Sequence, residues 1–217
     1  MWGTVGIIYN KKMVKDTVDS WNILWDKKYK KQIFMLDSQR DSIGLALKML
    51  GYSLNSKNEK ELEAAKKKLM EQKPLVLSYV GDEVKDKMIG NEAALAVVWS
   101  GDAVFMKRAN KDLEYVIPKE GSNIWFDAMV IPKAGKHKKE AEEFINYMCK
   151  TEIALKNAEF IGYSTPHAEV EKLLPKELAS DKSLYPGKED LKNSEVFDDL
   201  VDMLPLYDRV WTEVKSK

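Results

Sequence analysis

Arginine is scarce in this chain. Its 35 basic residues include only Arg40, Arg108 and Arg209; the rest are lysine. Readers of phosphate and nucleic acid lean on arginine forks. A formal net charge of +0 also leaves no bulk field to draw the chain to DNA or to an anionic membrane. Nucleic acid is therefore not an expected partner. Cysteine occurs once, as Cys149, so no internal disulfide can form. It falls in an apolar helical pattern and is expected in the core, where free cysteines are commonly buried. One cysteine and two histidines, His137 and His167, set well apart, argue against a zinc cluster. No apolar run reaches the ~18 residues of a membrane-spanning helix. No G-x-G-x-x-G or phosphate loop occurs, and no G-x-S-x-G elbow. Carboxylates are plentiful, but nothing in their spacing favours a glycosidase pair. No enzyme constellation stands out, and no cofactor or metal is expected. No signal peptide opens the sequence; residues 1–4 run straight into a strand, as a fragment would.

What is present is a sequence of 217 residues, 44% apolar, enough for one large domain or one and a half small ones with a sizeable core. Residues 5–9 and 32–36 read as short strands. Ser20 is placed to cap a helix carrying Trp21, Leu24 and Trp25 at helical spacing. Residues 43–50 read as helix, with Gly51 at its C-terminal stop. Asn58, Glu59, Lys60 and Glu61 resemble a capping box ahead of a helix with Leu62, Ala65 and Leu69 on one face. A strand over 75–79, a turn at Gly81 and Asp82, and a short helix over 83–89 follow. Residues 93–98 form a continuous apolar run ending in Trp99. A helix over 103–109, a strand over 113–117, a turn at 118–121 and a strand over 124–131 complete the middle of the chain. Beyond Pro132 the pattern turns helical, with Ala141, Phe144, Ile145 and Met148 on one face, then a second short helix over 153–160. Residues 171–192 lack strong periodicity. A last helix is expected from about Ser194, bending at Pro205.

Strands alternating with helices argue for α/β architecture and a mainly parallel sheet. Ligands of such sheets sit outside the carboxyl ends of the strands. The polar turns at Asp37 and Ser38, at Gly81 and Asp82, and at residues 99–102 should cluster at one such end. Trp125 and Asp127 lie two apart in a strand and so share a face. One offers a π-face and the other a negative charge, a pair suited to an organic cation. Taken singly, Trp99 and Trp125 also read as core or edge residues, and Asp41 as an acidic residue favoured by a helix N-terminus.

Several stretches together resemble a known family. They are SWNILWDKKYKKQI (20–33), LDSQRD (36–41), KMLGYSLNS (48–56), VVWSGDA (97–103), PKEGSNIWFDAMVIPK (118–133), IGYSTPH (161–167) and KSLYP (182–186). The pattern is similar to the spermidine/putrescine-binding proteins, the extracytoplasmic subunits of ABC-type polyamine importers, and the likeness runs over essentially the whole chain. The resemblance implies a periplasmic-binding-protein fold of class II, with two α/β lobes closing on a polyamine. It implies a C-terminal fragment, whose first lobe and signal or lipid anchor would precede Trp2. Residues 1–125 and 171–217 would form the second lobe, and 126–170 would cross back to complete the first. Without that lobe, 126–170 has lost its partner and is expected to pack differently or to exchange between two copies. The implied partners are a polyamine and the membrane permease subunits. The implied place is the periplasm or the outer face of the cytoplasmic membrane.

By the same resemblance, Trp99 and Trp125 wall the alkyl chain, Asp127 holds an inner ammonium, Asp41 takes a terminal one and Tyr163 acts as an aromatic lid. The chain departs from the family at four positions. Asp41 stands where Glu is common, Ser38 where an acidic residue is frequent, Gly81 where Ser is usual, and Phe197 where a Gln can contact the ligand. These departures leave open which polyamine is bound. Other ligands of the same fold would call for other residues: iron for clustered tyrosines or histidines, an organophosphonate for arginine or backbone donors in place of Asp127. A sensor domain that binds polyamine without transport fits the same residues.

Overall fold

β1 (Trp2–Asn10) is the strand to which most others attach. A computed structural model describes residues 1–216. Along its second half β1 pairs with β4 (Leu95–Trp99), from Val5↔Trp99 to Tyr9↔Leu95, and with β5 (Leu113–Val116). Its first half pairs with β6 (Ile124–Phe126), from Trp2↔Phe126 to Thr4↔Ile124. β2 (Ile33–Leu36) lies between β4 and β3 (Val76–Val80). The order is β3-β2-β4-β1-β5, with β6 attached to β1.

The expectation of a mainly parallel sheet is half met. β2, β3 and β4 pair in parallel, but every pairing of β1 is antiparallel. By these registers β1 runs against all the other strands, so the sheet is mixed. Helices carry the chain back across the sheet between β2 and β3, between β3 and β4, and between β4 and β5. Only two short 3₁₀ turns separate β1 from β2, so β2 starts at the end where β1 finished and runs the other way.

Both faces of the sheet are covered. Leu95 and Val97 of β4 join Val5, Ile7, Trp21, Leu24 and Met35 on one face. Ala96 and Val98 join Ile8, Phe34, Met88 and Met106 on the other. Two-sided burial explains why residues 93–98 are apolar without alternation. α1 (Gln39–Met49) and α2 (Glu59–Gln72) stack with α9 (Leu204–Ser216) in a third cluster, where Leu62, Ala65 and Leu69 are fully buried beside Tyr207, Val210 and Val214. Asn58 caps α2 by accepting from the Lys60 amide at 2.9 Å. α3 (Val84–Ile89) and α4 (Ser100–Ala109) cover the second face.

The chain after β6 departs most from expectation. The strand expected over 124–131 stops at Phe126. Its pairing with β1 ends at Trp2↔Phe126 and the Asp127 amide, which bonds the Met1 carbonyl at 2.8 Å. α5 (Lys138–Met148) has the expected amphipathic face, yet none of its residues is buried. Cys149, at its C-terminus, is exposed and not a core residue, because the face it belongs to meets little of the sheet. α6 (Thr151–Ile161) packs through Ala158 on Val104, Val170 and Leu174. α7 (Ala168–Leu173) and α8 (Lys176–Ala179) fall partly in the stretch without periodicity; six and four residues long, they are too short to show one. The last helix does not begin near Ser194 and bend at Pro205. It begins at Leu204, with the proline in its first turn, where a missing N–H costs nothing.

Candidate ligand-binding site

The end of the sheet where β2, β3 and β4 finish gathers three turns. Trp99 ends β4 and caps α4 with an extended backbone. Ser38 stands at the N-cap position of α1, and Asp41 sits in that helix's first turn. β6 adds Trp125, and the turn after α6 adds Tyr163. A cavity of about 510 Å³ opens among them, lined by Asp41, Trp99, Trp125, Asp127, Tyr163 and Phe197, with Met1, Asn123, Phe126 and Ile161. Six of the eight residues expected at the site thus meet in one cavity. Ser38 lies just behind it, donating to Asp41 Oδ2 at 2.7 Å. Gly81 does not line it; its amide is taken by Glu83 Oε2 at 3.0 Å.

Although 35 residues of the chain are Lys or Arg, none lines this cavity, which holds two carboxylates and five aromatic rings. Asp127 is exposed, so it carries no burial cost. Asp41 is 7% exposed. Burial pushes its carboxyl above the ordinary carboxylate range, while hydrogen bonds from Ser38 and Asn123 and the charge of Arg40 pull the other way. Arg40 itself faces elsewhere. Its guanidinium stacks on Phe197 at 4.3 Å and on Tyr207 at 5.2 Å, and it donates to Asn55 Oδ1 at 2.9 Å. Arg40 therefore fixes the Phe197 ring through a cation–π contact.

The aromatic wall is seated on glycine. Trp125 and Tyr163 meet edge to face at 5.3 Å. A Cβ on Gly101 would lie 2.2 Å from the Tyr163 ring, and one on Gly3 2.6 Å from the Trp125 ring. The Tyr163 hydroxyl donates to Asp102 Oδ1 at 3.0 Å. Lys85 stands 3.6 Å from the same oxygen. Burial raises the Asp102 pKa and the Lys85 charge opposes it; burial and the neighbouring Asp102 hold the Tyr163 hydroxyl protonated. Trp125 Nε1 and Asn123 Oδ1 are buried without hydrogen-bond partners.

Reading from sequence missed Asn123, Met1, Phe126 and Ile161. The signal for Asn123 was present, since it precedes Trp125 and Asp127 at the same two-residue period. Among the described residues, no group of three or more His, Cys, Asp or Glu is arranged to hold a metal ion, and no helix is long and apolar enough to cross a membrane.

Residues 1–186 match the model of the bacterial extracellular solute-binding proteins. A spermidine/putrescine-binding periplasmic protein of Salmonella typhimurium is 35% identical over all of this chain, which spans 62% of that relative's length. A spermidine/putrescine ABC transporter substrate-binding protein of Streptococcus pneumoniae, solved with calcium and HEPES, superposes with a TM-score of 0.88 at 44% identity, covering 99% of this chain and 67% of that one. A Listeria monocytogenes protein ascribed to a spermidine/putrescine ABC transporter superposes at 0.94 with 50% identity over the same shares. The match to the family model over most of its length places this chain in the bacterial extracellular solute-binding protein family.

Proposed function

We propose that this chain belongs to the solute-binding component of an ABC importer and that its cavity takes a polyamine such as putrescine or spermidine, without catalysis. The observation that carries this reading is the cavity's composition: Asp41, Asp127, Trp99, Trp125 and Tyr163, with no basic residue in the lining. A polyamine is a string of ammonium groups joined by methylenes. Carboxylates give its ends charge-assisted hydrogen bonds. An aromatic face attracts a cation by about 0.5–2 kcal/mol. Covering the methylenes adds about 0.8 kcal/mol for each CH2. Trp99 and Trp125 wall the alkyl chain, Asp41 and Asp127 receive ammonium groups, and Tyr163 closes over them. Two of the three named relatives are described as ABC transporter proteins and the third as a periplasmic binding protein, which supports permease subunits as partners and the periplasm or the outer face of the cytoplasmic membrane as the place of action.

In this reading residues 1–125 and 171–217 form one lobe, and 126–170 belong to a second lobe across the cleft. The unburied face of α5, with Phe144 59% exposed, supports that division. Exchange of 126–170 between two copies is the form self-association would take. A strictly monomeric mass, with 126–170 protected from protease, removes that part of the proposal.

The test is a tryptophan-fluorescence titration of the protein at its full natural length with putrescine, spermidine, lysine, ferric ion and γ-aminobutyrate. The last is included because Trp125 Nε1 is a donor without an acceptor. Saturable quenching by polyamines is expected, weakened about tenfold or more in Asp127→Ala. Because Asp127 is exposed, the variant should melt with the parent. Quenching by ferric ion or γ-aminobutyrate with none by polyamines overturns the reading.

A further inference from the structure

Asn123 is 6% exposed and lines the cavity at its Asp41 end. Its Nδ2 donates to Asp41 Oδ1 at 3.3 Å. Its Oδ1 is buried and meets no donor among the described residues. Electrostatics fixes this orientation of the amide: turned over, a carbonyl oxygen would face a carboxylate oxygen, two acceptors with no proton between them. Native interiors leave few buried acceptors unpaired, and one at a ligand cavity calls for a donor from the ligand. The backbone holds the residue firmly, since its carbonyl accepts from the Val5 amide at 3.2 Å.

A primary ammonium brings three N–H donors. Asp41 supplies the opposite charge, with its two oxygens already ordered by Ser38 and Asn123. Phe197, the other side chain at this end, has no polar atom to offer. We propose that Asn123 Oδ1 accepts a hydrogen bond from the ammonium whose charge Asp41 balances, so that this end of the cavity selects a primary ammonium over an N-methylated one. The inference rests on the polyamine reading of the cavity. It adds a specificity-determining residue that acts through hydrogen-bond count and not through charge.

The experiment compares putrescine with its bis-trimethylammonium analogue, which keeps both charges and has no N–H. Both are titrated by calorimetry into the full-length parent, Asn123→Leu and Asn123→Ala, with melting curves to establish folding. Loss of a hydrogen bond to a charged group should weaken putrescine about ten- to a hundredfold and weaken the analogue, which has no N–H to lose, much less. Putrescine binding undiminished in either folded variant overturns the inference while leaving the polyamine site intact. So does an equal loss for both ligands, which reports a change of cavity shape. A parent that binds neither ligand overturns the polyamine reading, and this inference with it.

Discussion

The Tyr163 hydroxyl and Asp102 Oδ1 are joined at 3.0 Å across 61 residues of sequence. The bond ties the turn after α6 to the first turn of α4. Asp102 is one residue past Gly101, over which the Tyr163 ring lies. The ring is thus held at its hydroxyl by one residue and along its plane by the next. Tyr163 in turn sets its edge on Trp125. A carboxylate outside the cavity lining thereby helps to place two of its walls.

This arrangement makes Gly101 a position where one methyl group should matter. A Cβ there would lie 2.2 Å from Cδ2 of Tyr163, so the ring must move and give up its Asp102 bond and its contact with Trp125. Overpacking of this kind costs about 1–3 kcal/mol. Gly101→Ala should lower the melting temperature and weaken polyamine binding about tenfold, as the aromatic pair and the hydrogen bond are lost together. Tyr163→Phe, which keeps the ring and removes only the hydroxyl, should show a smaller loss by the same titration. Equal behaviour of Gly101→Ala and the parent would mean that the Tyr163 ring is not a wall of the working site.

Much of this is legible in the sequence, and the parts that are not share a physical cause. Local rules read well wherever a segment satisfies itself. Asn58 caps its own helix, Gly51 stops one at a φ of 81°, and the apolar run before Trp99 announces a strand buried on both faces. Trp125 and Asp127 line one cavity, but Phe126 between them lines it too, and Asp127 lies past the end of the strand, so the two-residue period alone does not select that face. Local pattern falls short where the outcome depends on what lies alongside. β6 ends where its pairing with β1 ends, which no pattern within 124–131 encodes. The face of α5 is amphipathic, but periodicity states only that a face exists, and Cys149 followed the face into an exposed position. Pro205 is compatible with bending a helix or with starting one, and only the irregular path of 194–200, tied to Ser122 and Ile124 by backbone bonds, decides between them.

Asp41 sets the expected pH dependence. Burial raises its pKa in the folded chain, so its ionised form is disfavoured by folding. The stability it contributes is fully present below its unfolded pKa and is lost as pH rises through the folded value. A ligand ammonium reverses that preference, because the cation favours the carboxylate. Polyamine affinity should therefore fall as pH drops through the Asp41 pKa, at a pH above the ordinary carboxylate value of 3.8. Asp41→Asn should flatten this dependence, weaken binding about ten- to a hundredfold at neutral pH, and raise the melting temperature of the ligand-free protein there. Affinity measured from pH 4 to 8 (a range of about four units around the carboxylate and histidine values) checks the first two claims. An unaltered pH profile in the variant would assign the titration to another group.

Gly121 anchors the strand of chain that returns past the site. Its φ is +90°, and a Cβ would fall 2.0 Å from the Asn193 carbonyl oxygen. That close approach lets 194–195 run beside 122–124: the Ser122 amide bonds Ser194 Oγ at 3.0 Å, the Glu195 amide bonds the Ser122 carbonyl at 2.9 Å, and the Ile124 amide bonds the Glu195 carbonyl at 2.8 Å. Phe197 reaches the cavity from this segment. Gly51 provides the comparison, with a φ of +81° and nothing within 4 Å of its would-be Cβ. Gly51→Ala pays only the left-handed backbone cost, about 1 kcal/mol. Gly121→Ala adds a backbone clash that no rotamer relieves and should cost about 2 kcal/mol more, a further loss of ~4–8 °C in melting temperature for a chain of this size. It should also weaken polyamine binding, since Asn123 and Phe197 lie on the two segments that are pushed apart, whereas Gly51→Ala should leave binding unchanged. Equal melting temperatures for the two variants would show that the 193–195 segment yields to the added methyl group and does not hold that end of the cavity in place.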